Sequence, residues 1–261
     1  GAGLRGLAGG SRGVSGMTSW SWTPWVLGAL LFFWGVGGYN RMMRLRNAIG
    51  AAYGQLDGLL SQRAQLCARL LEGLRPLLQK HFGVTFSKRQ LAYMAEIPFS
   101  EEVLNECKDS HILVAYAPMA IVAVRAKTAS VKLPPKHRMF YQQDWYDNNE
   151  VGNGTGALEW HLVRKTSVPD SKSKTWQEQQ NLIDSKIDET PEANVMVYTI
   201  IGHFLNTGER LFEKEYVRTR TLDSDGLHVV VGYFGAGGLV VISWSDDYRN
   251  GYVGVASARK Q

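Results

Sequence analysis

At 261 residues the chain has room for one or two domains and a sizeable core. A formal net charge of +5, from 29 basic and 24 acidic residues, is too mild to argue for nucleic acid as a partner. Cys67 and Cys107 lie far apart in segments of different character, so they support neither a disulfide framework nor a zinc site and read as reduced, partly buried thiols.

Residues 1–16 are rich in Gly, Ser and Arg without periodicity and read as a disordered leader, a cut fragment, or translated sequence upstream of a start at Met17. No residue from Gly13 to Asn40 is charged, and Trp22 to Tyr39 is about long enough to cross a bilayer core, which predicts a membrane anchor at about residues 20–40. Trp20, Trp22, Trp25 and Tyr39 sit where an aromatic belt would place them. The rival signal peptide lacks a basic start and a cleavage site. Arg41, Arg44 and Arg46 follow the span, so the positive-inside rule puts the C-terminal portion of a single-pass protein in the cytoplasm. The chain is cytoplasmic throughout if the N-terminal segment is not native.

Beyond the span, Leu45, Ile49, Ala52, Leu56, Leu59, Leu66 and Leu70 recur in four- and three-residue steps with Arg63 as one interruption, a seam that wants a partner helix and that Pro76 should end or kink. Tyr39-Asn-Arg, Leu45-Arg-Asn, Ala52-Tyr and Leu56-Asp-Gly resemble the start of the LemA family of membrane-anchored helical proteins. The resemblance covers about residues 17–79, implying an anchor and a helix over 41–79.

At about Lys80 the character changes to mixed α and β, and residues 80–261 read as one domain. Ser87 and Ser100 are N-cap candidates for two short helices, the second with Glu101 and Glu102 in its first turn. His111 to Arg125 is apolar and β-branched, split by Pro118, and predicts one or two buried strands. Leu158 to Arg164 alternates as a strand. Helices are expected from Ser173 to Ile183 and from N-cap Thr190, with Pro191 at its first position, to a stop at Gly208. Glu215 to Arg220 is a strand leading into a turn at Asp223 to Gly226.

No catalytic constellation, metal site or cofactor site emerges. Asp223-Ser-Asp225-Gly226 lacks the closing glutamate of a calcium loop. His111, His137, His161, His203 and His228 lack ligand spacing, and His161 and His203 read as structural partners. Gly152 to Gly156 lacks the lysine of a phosphate loop. Trp176 reads as a packing residue between helix and sheet.

The C-terminal stretch, about 227–253, has strand-like runs at His228 to Val231 and Leu239 to Ile242 around a Gly-Ala-Gly-Gly turn. Ser243 to Gly251 is rich in Ser, Asp, Tyr and Asn, the composition of a binding loop as well as of an ordinary surface loop. A last strand-like run, from Tyr252 to Arg259, looks like a closing strand.

Across residues 81–261, Ile97-Pro-Phe-Ser, Cys107-Lys-Asp-Ser-His, Asp144-Trp-Tyr, Ser173-Lys-Thr-Trp, Thr207-Gly-Glu-Arg, Asp223-Ser-Asp-Gly and Val255-Ala-Ser-Ala-Arg-Lys are similar to the target proteins of bacterial diversity-generating retroelements. The resemblance implies an α+β fold with a C-type-lectin-like domain. In that family a reverse transcriptase replaces template adenines, varying chosen residues on a fixed scaffold. The candidates it implies here are Val230, Tyr233, Gly235, Gly237, Val240, Ile242, Ser243, Ser245, Asp247, Tyr248, Asn250 and Tyr252. Gly232, Phe234, Gly238, Leu239, Gly254, Ser257 and Arg259 would be scaffold, and Trp244 is either fixed or comes from another template codon.

The favoured reading is therefore a non-enzymatic binding protein whose C-terminal surface takes an unknown protein or small ligand. A LemA-type helical structural protein is the first alternative. The second, an enzyme of the formylglycine-generating kind, needs a reactive cysteine or a metal near the C-terminal lobe, and no Cys follows Cys107.

Overall fold

The computed structural model describes residues 23–261, with the side chains of most residues from 56 to 79 outside the description. The expected leader at residues 1–16 and the tryptophans Trp20 and Trp22 lie outside it. Contacts divide the chain into two units, residues 1–61 and 62–261.

In the first unit, helix α1 (Thr23–Phe82) begins, with Trp25, Leu31, Phe32, Phe33, Trp34, Leu45 and Ile49 exposed along it. No helix among the described residues is long and apolar enough to cross a membrane, so the expected span at Trp22–Tyr39, whose first residue lies outside the described residues, is not supported. The physical reason lies in composition: Thr23, Pro24, Gly28, Gly35, Gly37, Gly38 and Tyr39 dilute the aliphatic run, and charge begins at Arg41. Of the proposed seam, Leu45, Ile49 and Ala52 are exposed, while the side chains of Leu56, Leu59, Leu66 and Leu70 lie outside the described residues.

Pro76 does not end α1, which runs on to Phe82 before Gly83 turns at φ 61°. Tertiary packing in the second unit fixes that last turn: the Phe82 ring stacks on Tyr198 at 4.8 Å. Short helices α2 (Lys88–Tyr93) and α3 (Glu101–Cys107) follow, capped as expected by Ser87 and Ser100. At Ser87 a capping box with Gln90 satisfies two otherwise orphan N–H donors.

Strand β1 (His111–Tyr116) is as anticipated, but Ile121–Thr128 is helix α4 and not a second strand. Ile121, Val124 and Thr128 recur at helical spacing on its buried side, so burial overrides the β propensity of Ile and Val. Then come α5 (Glu150–Asn153), β2 (Glu159–Arg164), α6 (Trp176–Gln180), β3 (Asp188–Glu189) and α7 (Ala193–Thr207). Helix α6 starts later than expected, because Thr175 and Glu178 form its capping box while Ser173 takes φ 57°. Helix α7 is capped at Glu192, not Thr190, and Gly208 closes it in the left-handed conformation. The chain ends with β4 (Tyr216–Leu222), β5 (His228–Gly235), β6 (Gly238–Trp244), β7 (Val253–Val255) and β8 (Ala258–Arg259).

The result is α+β with two sheets, ordered β1-β2-β8-β3 and β6-β5-β4-β7, all antiparallel except the pair β4 and β7. The expected single closing strand is two, because Ala256 and Ser257 break it and pass the chain from one sheet to the other. Alternation along β1 and β2 serves two cores. Tyr116 and Val163 face the large core around α7, whereas Ala115, Trp160 and Leu162 face a smaller one with Met94, Phe99 and Cys107.

His111 and His161 are buried, and neither Nε2 has a hydrogen-bond partner. Glu159 lies 3.2 Å from His161 Nε2, but the ring is neutral and the contact is no ion pair. Burial, then Arg164, Arg259 and Lys165 beside His111, and burial, then Arg220 near His161, hold both imidazoles down to about 4. The unfolded chain takes up these protons near 6.5 while the fold resists until about 4. Stability is therefore fully present above the unfolded value and falls as pH drops toward 4, by up to ~1.4 kcal/mol per pH unit for each group. Urea midpoints of wild type and His161→Gln between pH 7 and 4.5 check this: the variant should show the shallower decline, and equal declines would refute it.

A candidate ligand-binding face on the C-terminal sheet

Cross-strand pairing puts Tyr216 and Arg218 of β4, His228, Val230 and Gly232 of β5, and Val240, Ile242 and Trp244 of β6 on one face of the second sheet. The opposite face, with Val217, Val229, Val231, Phe234 and Val241, belongs to the large core. One half of the outer face is roofed. Trp176 stacks on His228 at 3.7 Å, and its main-chain N–H donates to Asp246 O at 2.8 Å. His228 Nδ1 lies 2.6 Å from Asp246 Oδ1.

Under this roof Arg218 is wholly buried. Its Nη1 donates to Lys174 O and Gln179 Oε1, each at 3.0 Å, and its Nη2 to Ser245 O at 3.0 Å and Tyr248 O at 2.6 Å. The contacts to residues 245–248 reach only main-chain carbonyls. Arg249 adds an outer tether to Glu178, with Nη1 2.7 Å from Oε2 and Nη2 2.9 Å from Oε1. Hydrogen bonding from Arg249, then from Thr175, holds the Glu178 carboxyl down to about 2.

The other half of the face is open and aromatic. Between Gly232 and Gly235 the β5–β6 ladder slips through a bulge, with Gly232 at φ 149° and Tyr233 at φ 50°. A bulge re-aims the side chain it carries. Here the Tyr233 ring lies nearly parallel to Tyr216, 8° between planes and 5.3 Å between centroids. Trp244 meets Tyr216 edge-on at 5.0 Å, and Tyr248 meets Trp244 at 5.2 Å. Tyr233, Tyr248, Tyr252 and Tyr141 are each about half exposed, at 50%, 44%, 63% and 51%. Burial pushes the Tyr216 phenol up. A tyrosine in the left-handed region costs of order 1 kcal/mol and persists only where its surroundings impose it.

Residues 138–145, a strap from outside the C-terminal stretch, close the edge of β6. Arg138 N–H donates to Ala236 O at 2.9 Å, Tyr141 N–H to Leu239 O at 2.9 Å, and Gln143 Nε2 and Trp145 Nε1 both to Val241 O at 2.7 Å. An unpaired edge would otherwise be open to another chain.

No family model matches the chain, and no curated protein or solved structure matches it either. The face has to be read from its own chemistry.

Of the twelve candidate contact residues, Tyr233, Gly237, Ser245, Asp247, Tyr248 and Tyr252 are exposed, and Gly235, Val240 and Ile242 are half-buried on or beside the same face. Three are placed otherwise. Val230 is fully buried between Arg218 and Ile242, Ser243 pairs with Val229 and so shares the inner face, and Asn250 uses its amide within the loop, donating to Tyr248 Oη at 3.0 Å. The expected scaffold positions Gly232, Phe234, Gly238, Leu239, Gly254 and Ser257 are buried, and Arg259 is half-buried.

Sequence reasoning missed Tyr141, Tyr216 and Trp244 as members of the face. Trp244 had a local signal, since it continues the alternation of Val240 and Ile242. Tyr141 had none, because only the strap brings it to the hairpin. The scattered histidines stay scattered: His203 Nε2 lies 2.9 Å from Glu209 Oε2, and among the described residues no cluster of His, Cys, Asp or Glu could hold a metal ion.

Proposed function

We propose that residues 80–261 are a non-enzymatic binding domain of C-type-lectin-like kind, which presents the aromatic face and the loop from Ser245 to Tyr252 as a diversified contact surface. The observation that carries this reading is the contiguous aromatic row of Tyr233, stacked on Tyr216, then Trp244 and Tyr248 meeting edge-on, with Tyr233 and Tyr248 about half exposed and Tyr233 held at positive φ. Tyrosine and tryptophan give rigid contact area with a polar tip at low entropic cost. Diversification also needs side chains that can change without moving the chain. A Cβ added at Gly235 meets nothing within 4 Å, and one at Gly237 meets only Tyr141 at 3.8 Å.

Two experiments test it. Downstream DNA should hold an imperfect repeat of the 3′ coding end, differing at adenines within the codons for these residues, beside a reverse-transcriptase gene. Its absence would remove diversification. A displayed library randomised at Tyr233, Val240, Ile242, Asp247, Tyr248 and Tyr252 should yield folded binders, and Trp244→Ala should weaken a selected binder by more than tenfold, an effect of about 2 kcal/mol. Unfolded clones, or binders indifferent to Trp244, would sink the surface assignment.

The exposed apolar side chains between Trp25 and Tyr53 favour a second reading, a LemA-type helical structural protein with a helix partner along Leu45–Leu70. A circular dichroism spectrum dominated by helix, with little β signal, would favour it over the binding domain.

A further inference from the structure

From Ser110 to Gln143 the chain has no Asp or Glu, and it carries Arg125, Lys127, Lys132, Lys136 and Arg138. Between α4 and the strap this stretch lines a cleft of about 560 Å³, with Val131, Leu133 and Met139 among its apolar lining and Arg125, Arg138 and Gln142 among its polar lining. Tyr141 also lines the cleft and lies against the position of Gly237, so cleft and aromatic face are contiguous.

The two arginines are not equivalent. Arg125 is already committed: its Nη2 pairs with Asp147 Oδ1 at 2.6 Å and its Nη1 donates to Gln143 O at 2.9 Å. It also stands in the last turn of α4, where it answers the partial negative charge of the helix carbonyls. Arg138 is exposed, and one of its five N–H donors goes to Gln142 Oε1 at 2.7 Å. None of the ion pairs among the described residues includes Arg138, Lys136 or Lys132.

The backbone fixes where this charge sits. Arg138 N–H is pinned to Ala236 O in the hairpin turn. Just before it, Pro134 to His137 form a turn closed by His137 N–H to Pro134 O at 3.0 Å, with Lys136 at φ 66° in its third position. Glycine or asparagine normally occupies that position, and a lysine there costs of order 1 kcal/mol. The turn thus gives up stability while keeping a second cation beside Arg138.

We infer that this cleft is an anion subsite at the rim of the binding face. It takes a carboxylate side chain of an acidic protein segment whose apolar neighbours lie on Tyr141, Tyr216 and Trp244. The inference rests on the reading of the aromatic face as a binding surface. A guanidinium with free donors matches a carboxylate in a two-pronged hydrogen bond. A polyanion fits less well, because Asp247 is exposed in the loop that follows β6 and Glu215 immediately precedes Tyr216.

The test uses the full chain, isotopically labelled, titrated with two acetylated, amidated peptides, Tyr-Val-Glu-Glu-Trp and its Gln-Gln counterpart. The Glu peptide should shift the resonances of Arg138, Tyr141 and Gln142 and bind at least about threefold more tightly than the Gln peptide, within the range of an exposed ion pair. That preference should vanish in Arg138→Ala and at high salt, while Trp244→Ala weakens both peptides alike. Arg138 bonds the hairpin through its main chain alone, so the variant should keep the wild-type thermal midpoint. Equal affinities, a preference that survives Arg138→Ala, shifts mapped elsewhere, or no binding of either peptide would overturn the subsite. Should Trp244→Ala weaken both peptides with no Glu preference, the subsite falls and the aromatic-face reading stands. A Glu preference at Arg138 with no effect of Trp244→Ala retains the subsite and removes that reading.

Discussion

Arg218→Met is expected to lower the unfolding free energy by about 3–5 kcal/mol, read as a fall in the urea midpoint. Methionine keeps the bulk of the side chain, so the loss comes from four acceptors. The Gln179 side chain would lose its donor in a buried setting, and the carbonyls of Lys174, Ser245 and Tyr248 would lose theirs in a partly buried one. Each buried acceptor left unmade costs about 1–3 kcal/mol, offset in part because an unpaired buried cation has also gone. Burial pushes the guanidinium's pKa down, Asp246 being the opposing charge, and its Nε has no partner. Arg218→Lys should fail as well, because three donors on one nitrogen cannot span carbonyls from separate segments. A midpoint shift worth less than ~0.5 kcal/mol in Arg218→Met would show that the loop does not hang on this residue.

The glycines of the hairpin should divide sharply. Gly238→Ala is expected to cost on the order of 3 kcal/mol, and Gly237→Ala to stay within about 0.5 kcal/mol of wild type. At Gly238, φ is 97° and a Cβ would stand 2.3 Å from Phe140 C and 2.6 Å from Tyr141 N, inside the main chain of the strap. The strap cannot withdraw without giving up its hydrogen bonds to β6 and uncovering that edge. Gly232 is comparable, with a Cβ 2.3 Å from Glu215 O. At Gly237 the space is open apart from Tyr141. Paired thermal melts of the two alanine variants decide the point, and a Gly237→Ala as damaging as Gly238→Ala would count against replaceable positions in this turn.

The N-caps Ser87 and Ser100, the strands β1 and β2, the β5–β6 hairpin and the Gly208 stop were legible because each depends on residues within a few positions of one another. Period-two alternation, a hydroxyl before a helix, and glycine where φ turns positive are local physics. The errors fall where distant contacts decide. Ile121 to Thr128 carry β-branched residues yet coil, because one helical face buries against the core. Pro76 leaves α1 running as far as Phe82, whose ring packs on Tyr198. The expected span at Trp22 to Tyr39 is a separate, local case: no helix among the described residues is apolar enough to support it, because glycines and aromatics dilute the run.

A polar loop at about Ser243 to Gly251 and a strand-like run from Leu239 to Ile242 were determined by the sequence itself, through composition and period, although the strand continues to Trp244. Only the tertiary structure decided which of those residues a ligand could meet. Val230 obeys the same alternation as Ile242 and is sealed beneath the roof held by Arg218, while Tyr141, from a segment about a hundred residues earlier, stands beside Gly237. The reason is physical: a strand's period sets the face on which a side chain lies, but whether that face meets water depends on what the rest of the chain lays across it.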